Sequence, residues 1–161
     1  MAISSAKKIL GLSRLLRLRR AWAAKGRRVV FTNGVFDLLH AGHVGLLEKA
    51  RSLGGALIVG VNSDTSTRRL GKGRGRPFNR LQDRARVLAA LACVDAVTAF
   101  PEDTPARLVS RLKPDILIKG ADYQPDQVAG RRHARRLVLL RLKKGYSTTS
   151  LARRIARAIQ P

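Results

Sequence analysis

The sequence predicts an α/β domain built on a five-stranded parallel sheet flanked by helices. Strand-sized apolar runs alternate with segments of helical periodicity along nearly the whole chain. The runs are continuously apolar, as strands covered on both faces require. At 161 residues, 45% of them hydrophobic, the chain is long enough for one real core. No apolar run approaches membrane-spanning length.

The elements follow in order. Residues 4–25 are basic, acid-free and amphipathic, with Ile9, Leu12, Leu15, Leu16 and Trp22 at helical spacing. That composition also suits a targeting presequence. The direct run into the first strand through Lys25, Gly26 and Arg27 favours a structural helix packed on the core. Strands are expected at 28–31, 57–61, 94–100, 115–118 and 137–142, and helices at 42–53, 80–91, 104–112 and 148–159. The stretch 68–79, rich in Gly and Arg and containing Pro77, reads as a loop. No repeat or linker divides the chain, so one domain is expected over 1–161, with right-handed crossovers.

In such sheets ligands sit at the carboxyl ends of the strands, near a switch in strand order. Asn33, Gly34, Asp37, His40 and His43 follow the first strand, and Asn62, Ser63 and Asp64 the second. Lys119, Gly120, Asp122 and Tyr123 follow the fourth, and Ser147, Thr148 and Thr149 the fifth. Within a helix, His40 and His43 would share one face. Beside a helix N-terminus, with its free N–H groups and positive dipole end, two imidazoles suit phosphate oxygens. Two other readings remain: local hydrogen bonds at a helix start, or a metal held by Asp37, His40 and His43, although no further Cys or His lies nearby to complete a zinc site.

Other groups are ambiguous singly. Gly71–Gly75 lacks the GxxxxGK[ST] pattern and is either a flexible basic loop or a lid carrying Arg68, Arg69 and Lys72 to phosphates. Ser147 and its neighbours can cap a helix, and the same hydroxyls can hold a triphosphate. Arg84, in a segment of helical periodicity, reads as a solvated surface arginine, and Lys119 with Asp122 as an ion pair or a sugar contact. No Ser-His-Asp set or catalytic cysteine is visible, and ten acidic residues make a carboxylate-pair hydrolase a poor fit. A site rich in cations and N–H donors suits transfer at phosphorus.

The formal charge of +23 attracts polyanions. Only 4% of residues are aromatic, so stacking platforms are scarce, and the arginines are spread over most helices. No specific nucleic-acid partner is expected; a basic nucleic-acid-binding module on an inactivated fold is the competing class. The single Cys93 excludes an internal disulfide, fits a reducing cytoplasm and reads as a small core hydrophobe.

His40-Ala-Gly-His43 matches the HxGH signature of the nucleotidyltransferase superfamily. With FTNGVFDLLHAGHVGLLEKAR, LIVGVNSDTSTRRL, RPFNRLQDRARVLAALACVD, EDTPARLVSRLKPDILIKGADY and GYSTT, the chain resembles the D-glycero-β-D-manno-heptose 1-phosphate adenylyltransferase family over roughly residues 9–159. The resemblance implies a Rossmann-like nucleotidyltransferase fold that joins ATP, carried with Mg²⁺, to heptose 1-phosphate, giving ADP-heptose and pyrophosphate. It implies that His40, His43 and Arg84 act on the phosphates, and that Thr32, Asn33, Gly34 and Phe36 line the first nucleotide loop. Ser147, Thr148 and Thr149 would lie near the β- and γ-phosphates, with Lys119, Gly120 and Asp122 around the nucleoside or sugar. Asp37, Asn62, Asp64, Arg68 and Lys72 are expected on the substrate side. It further implies a homodimer, with Cys93, Val94 and Asp95 in the interface region, and a separate heptose kinase upstream. Two segments depart from the family pattern, Arg131–Arg136 and Arg141–Lys144, both more basic than usual and both flanking the presumed site. Transfer from CTP to glycerol 3-phosphate is the neighbouring enzyme alternative.

Overall fold

The computed structural model describes residues 4–71, 73, 75–141 and 145–159. Five strands form one parallel sheet: β1 Val29–Gly34, β2 Ala56–Asn62, β3 Ala96–Phe100, β4 Ile116–Gly120 and β5 Arg136–Leu140, in the order β3-β2-β1-β4-β5. The chain starts at the central strand, works outward through β2 and β3, then returns to the other side of β1 through β4. The order therefore reverses between β1 and β4, where a crevice opens beyond the carboxyl ends. Pairing is in register, Val30 lying opposite Leu57 on one side and Ile116 on the other.

Helices cover both faces: α1 Leu12–Ala24, α2 Ala41–Ser52, α3 Asp64–Arg69, α4 Leu81–Ala90, α5 Ala106–Leu112 and α6 Thr148–Ile159. Alternate strand residues point to opposite faces. Phe31, Ile58 and Leu117 pack with Leu15 and Trp22 of α1 and with Leu108, Val109 and Leu112 of α5. Val30, Leu57, Val59 and Ile118 pack on the other face with Leu47 of α2 and with Ala85 and Leu88 of α4. Two carboxylates tie the strands at their amino ends. Asp115 accepts from the Val29 N–H at 2.8 Å, and Asp95 from the Leu57 N–H at 2.8 Å.

Each expected element is present, with shifted ends. β1 and β4 run on to Gly34 and Gly120, because the polar residues there still pair with neighbouring strands. β3 starts at Ala96, since Asp95 turns its carboxylate to Leu57. The N-terminal helix is broken: a 3-10 turn at Ser5–Lys8 comes first, then the Leu10 N–H bonds to the Val97 carbonyl at 2.8 Å, and α1 begins only after Gly11. α3 was not expected. It has no apolar stripe to betray it, only Ser63 at its start accepting from the Ser66 N–H at 3.1 Å. Cys93 is half-buried, and burial pushes its thiol pKa up. Residue 142, the expected end of the fifth strand, lies outside the described residues. No helix among the described residues is long and apolar enough to cross a membrane.

Candidate functional site

The loop from β1 to α2 holds the two histidines. His40 is the N-cap of α2 and not part of it, with extended backbone at φ −140° and ψ 167°. The expected shared helical face is replaced by a tighter arrangement. The His40 and His43 rings stack, centroids 3.8 Å apart and planes within 17°. His40 Nδ1 accepts from the His43 N–H at 3.3 Å, so the neutral ring carries its proton on Nε2. His40 thus makes the helix-start hydrogen bond that the sequence offered as one of its readings.

Burial sets the charge of the pair. Desolvation lowers the His40 pKa, and it lowers that of His43 to about 4, with His40 adding to the effect. At neutral pH both rings are uncharged hydrogen-bonding groups. The Nδ1 atom of His43 is buried and has no hydrogen-bond partner among the described residues. Phe36, at φ 49°, sets its ring edge-on to His43 at 5.2 Å. That left-handed backbone is uncommon for a bulky residue and is a strain of the kind stored at functional loops.

The glycine between the histidines has a steric reason. A Cβ at Gly42 would sit 2.8 Å from Cβ of Tyr146 and 3.1 Å from the His40 ring. Any side chain there would drive α2 from the segment leading into α6. Ser147 caps α6, its Oγ accepting from the Ser150 N–H at 3.0 Å, and Thr148 donates to the Leu38 carbonyl at 3.4 Å. The starts of α2 and α6, each 12 residues long, thereby converge. Between them lies a cavity of about 260 Å³ lined by Phe36, His43, Thr67, Arg76, Thr148 and Thr149, with Val35 and Asp37. Two helix N-termini, hydroxyls, an imidazole and an arginine are groups suited to an anion.

A second cavity, about 280 Å³, lies over the carboxyl ends of β1, β2 and β4. Asn33, Gly34, Asn62, Asp103, Thr104, Lys119, Tyr123 and Gln127 contribute to it, and Val35 lines both cavities. Lys119 donates to Asn33 Oδ1 at 2.6 Å, bridging β1 and β4 across the reversal of strand order. Its ammonium also lies 5.2 Å from the centre of the Tyr123 ring.

Several expected ligands are engaged elsewhere. Arg84, 2% exposed, is neither solvated nor turned to a phosphate site. Its guanidinium donates to the carbonyls of Asn79 at 3.0 Å, Val35 at 2.6 Å and Asn62 at 2.9 Å, and to Asp64 Oδ1 at 2.7 Å. It ties the β1–α2 loop, the end of β2, the start of α3 and the start of α4 together. Asp64 serves as its counter-charge. Asp37 is likewise structural. Its carboxylate accepts from Arg76 at 3.1 Å and from the N–H groups of Phe78 and Asn79 at 3.0 and 2.9 Å. That geometry removes the Asp37–His40–His43 metal reading, and no three His, Cys, Asp or Glu among the described residues are placed to hold a metal ion. Thr32 is buried and donates to the Ile118 carbonyl at 3.3 Å, a strand-to-strand contact. Asn62 lines the second cavity while its Nδ2 donates to Ser66 Oγ at 2.9 Å. Gly120 ends β4; Asp122 and Arg68 are exposed, and Lys72 lies outside the described residues.

Arg76, Thr67, Asp103 and Thr104 were missed as site residues. The rule that ligands gather at strand carboxyl ends would have found Asp103 and Thr104, which follow β3 within four residues. A larger cavity, about 890 Å³, adjoins the second through the 125–130 segment. It is framed by α5, β5 and the Arg131–Arg136 run, and a 3-10 turn at Arg131–His133 stands where a longer crossover helix would lie.

The sequence profile of the cytidylyltransferase-like family matches residues 31–154. A protein of Magnetococcus marinus named bifunctional protein HldE is 57% identical over 139 residues, 84% of this chain and 28% of that one. A protein of the same name from Helicobacter pylori is 49% identical over 150 residues, 93% of this chain and 31% of that one. The chain thus spans less than a third of the length of these relatives. Among solved structures, the lipopolysaccharide core biosynthesis protein of Thermoplasma volcanium aligns with a TM-score of 0.64 at 27% identity, covering 74% of this chain and 100% of that one. Pantothenate synthetase of Thermus thermophilus aligns at 0.55 with 18% identity, covering 83% of this chain and 61% of that one, and shares the fold alone.

Proposed function

The chain belongs to the cytidylyltransferase-like family, and from that premise we propose that it transfers AMP from ATP to D-glycero-β-D-manno-heptose 1-phosphate, releasing pyrophosphate. The observation that carries this reading is the pairing of two different cavities through Val35. One offers hydrogen-bond donors to an anion; the other mixes donors and acceptors. The motifs that resemble the heptose 1-phosphate adenylyltransferase family supply the choice of sugar phosphate, and similarity to relatives named bifunctional protein HldE, one of them 57% identical, supports it. A solved neighbour named for lipopolysaccharide core biosynthesis agrees with that choice.

An oxygen of the sugar phosphate attacks the α-phosphorus. The bond from that phosphorus to the bridging oxygen breaks, and pyrophosphate leaves with the electron pair. The protein need form no covalent bond; positioning and charge stabilisation supply the rate. The starts of α2 and α6, the Thr148 and Thr149 hydroxyls, Arg76 and the His40–His43 pair would receive the charge on the β- and γ-phosphates. Because the pair is neutral at rest, it first donates hydrogen bonds, and gains basicity only as negative charge arrives. Arg84 holds the scaffold. Mg²⁺ enters the proposal as part of the nucleotide, and no step is drawn through it. A homodimer working in the cytoplasm, fed by a sugar kinase, completes the proposal; sedimentation tests the dimer.

Pyrophosphate release is the direct assay. ATP with heptose 1-phosphate should far exceed CTP with glycerol 3-phosphate at equal concentrations. Preference for the CTP pair would overturn the substrates and keep the reaction class. Release with neither pair would return the chain to the nucleic-acid-binding reading.

A further inference from the structure

We infer that Asp103 and Thr104, on the loop after β3, read the hydroxyl groups of the acceptor, a polyhydroxylated sugar phosphate. The inference rests on the proposed transferase reading and names the part of the site that selects the acceptor. Phosphate has no donor and is bound by donors alone. A polyol both donates and accepts, and its recognition needs carboxylate or amide oxygens as well. The 260 Å³ cavity has the first chemistry, since its one carboxylate, Asp37, is already taken by three donors. The 280 Å³ cavity has the second, with Asp103, Thr104, Asn62, Tyr123 and Gln127 around Lys119.

Asp103 is held for such a task. Arg69 donates to its Oδ1 through Nε at 2.8 Å and approaches it through Nη2 at 2.7 Å. Arg69 Nη2 also bonds the Pro101 carbonyl at 2.7 Å, fixing the loop on which the carboxylate stands. Only Oδ1 is used, so Oδ2 has no partner among the described residues, and half of the side chain is exposed. A second anchor, from Ser66 Oγ to the Glu102 carbonyl at 2.9 Å, holds the same loop. Thr104 adds a hydroxyl that can donate or accept. Asp103 would repel a triphosphate and attracts hydroxyl protons, so this cavity takes the sugar. The sugar's phosphate points past Val35 toward the anion cavity. Arg69 is a positioning residue acting through Asp103.

Calorimetric titration of the full chain with heptose 1-phosphate, and separately with ATP, tests this. Asp103→Asn keeps the shape and the bond to Arg69 but can turn an acceptor into a donor. It should weaken heptose 1-phosphate about tenfold to a hundredfold, the worth of a hydrogen bond to a charged group, and leave ATP within about twofold. Thr104→Val should weaken the sugar phosphate about fivefold, again sparing ATP. Equal losses for both ligands, or unchanged sugar-phosphate binding in both variants, overturn the inference. If the wild-type chain takes glycerol 3-phosphate in place of the heptose, and Asp103→Asn weakens it selectively, the heptose reading falls and this inference stands. A wild-type chain that binds neither hydroxylated phosphate overturns the inference.

Discussion

Replacing Arg84 with Met separates a scaffold arginine from a phosphate-binding one. The guanidinium is 2% exposed and serves three main-chain carbonyls and one carboxylate. Methionine fills much of the volume and supplies no donor. Each buried acceptor left without a partner costs about 1–3 kcal/mol. Asp64 is 30% exposed in its side chain and can regain water, so its share is small. Only the bond to the Asn62 carbonyl is wholly buried; the Asn79 and Val35 carbonyls are partly exposed and regain some water, so the sum is about 3–5 kcal/mol, a large part of the roughly 5–15 kcal/mol that holds a domain together. For a chain of this size each kcal/mol moves Tm by about 2–4 °C, so a fall of about 10 °C is expected. Arg84→Lys keeps the charge, but one ammonium cannot span four acceptors, and about half the loss should remain. Differential scanning calorimetry gives Tm, and pyrophosphate release at a temperature where both proteins are folded gives the rate. Activity should fall with the loosened β1–α2 loop while Tm falls too. A variant with wild-type Tm and a thousandfold lower rate would refute the scaffold reasoning and place the guanidinium on the phosphates.

His43→Ala should cost about 10²–10³ in turnover, the usual loss for one charge-stabilising donor, with the fold kept; wild-type rates in a folded variant would remove His43 from the reaction. His43 has a folded pKa depressed to about 4 against an unfolded value of 6.5, so the unfolded chain binds more protons between those values. Stability of the ligand-free chain should therefore be complete above about pH 6.5 and decline toward pH 4, by about 1–2 kcal/mol after allowance for the solvent-facing part of the ring; urea midpoints across that range should lose this slope in His43→Gln. Replacing Arg131, Arg132, Arg135 and Arg136 together with Gln tests whether the basic run steers anionic substrates. Steering requires kcat/KM to drop at low salt and the gap to close as salt rises, whereas a passive surface leaves the kinetics unchanged.

The sheet was legible because its strands are apolar on both faces and the helices between them are periodic. α3 was not legible, since a six-residue helix starting at Asp64 buries polar Ser66 and Thr67 and shows no apolar period. The histidines, Gly34 and the Ser147–Thr149 segment could be placed at one edge, because every residue just after a parallel strand arrives there. The partners of Arg84 and Asp37 could not be read. Arg84 meets carbonyl groups of Val35 and Asn62, 49 and 22 residues away, and main-chain atoms leave no trace in side-chain identity. Spacing alone also puts His40 and His43 on one helical face, because capping residues and first-turn residues differ in backbone angles rather than in type.

The 101–104 segment touches the rest of the protein through few polar bonds. Ser63 N–H meets the Phe100 carbonyl, Ser66 meets the Glu102 carbonyl, and Arg69 meets Pro101 and Asp103. Arg107 of α5 lies 3.5 Å from the Glu102 carboxylate at an exposed site; the other partners lie on α3 or at its N-cap, and none on α2 or α6. On the proposed reading, a loop so attached can be transplanted together with the outward face of α3, giving the same phosphate-binding groups a different hydroxylated phosphate to work on. Val35, common to both cavities, would be the one seam such a graft has to match.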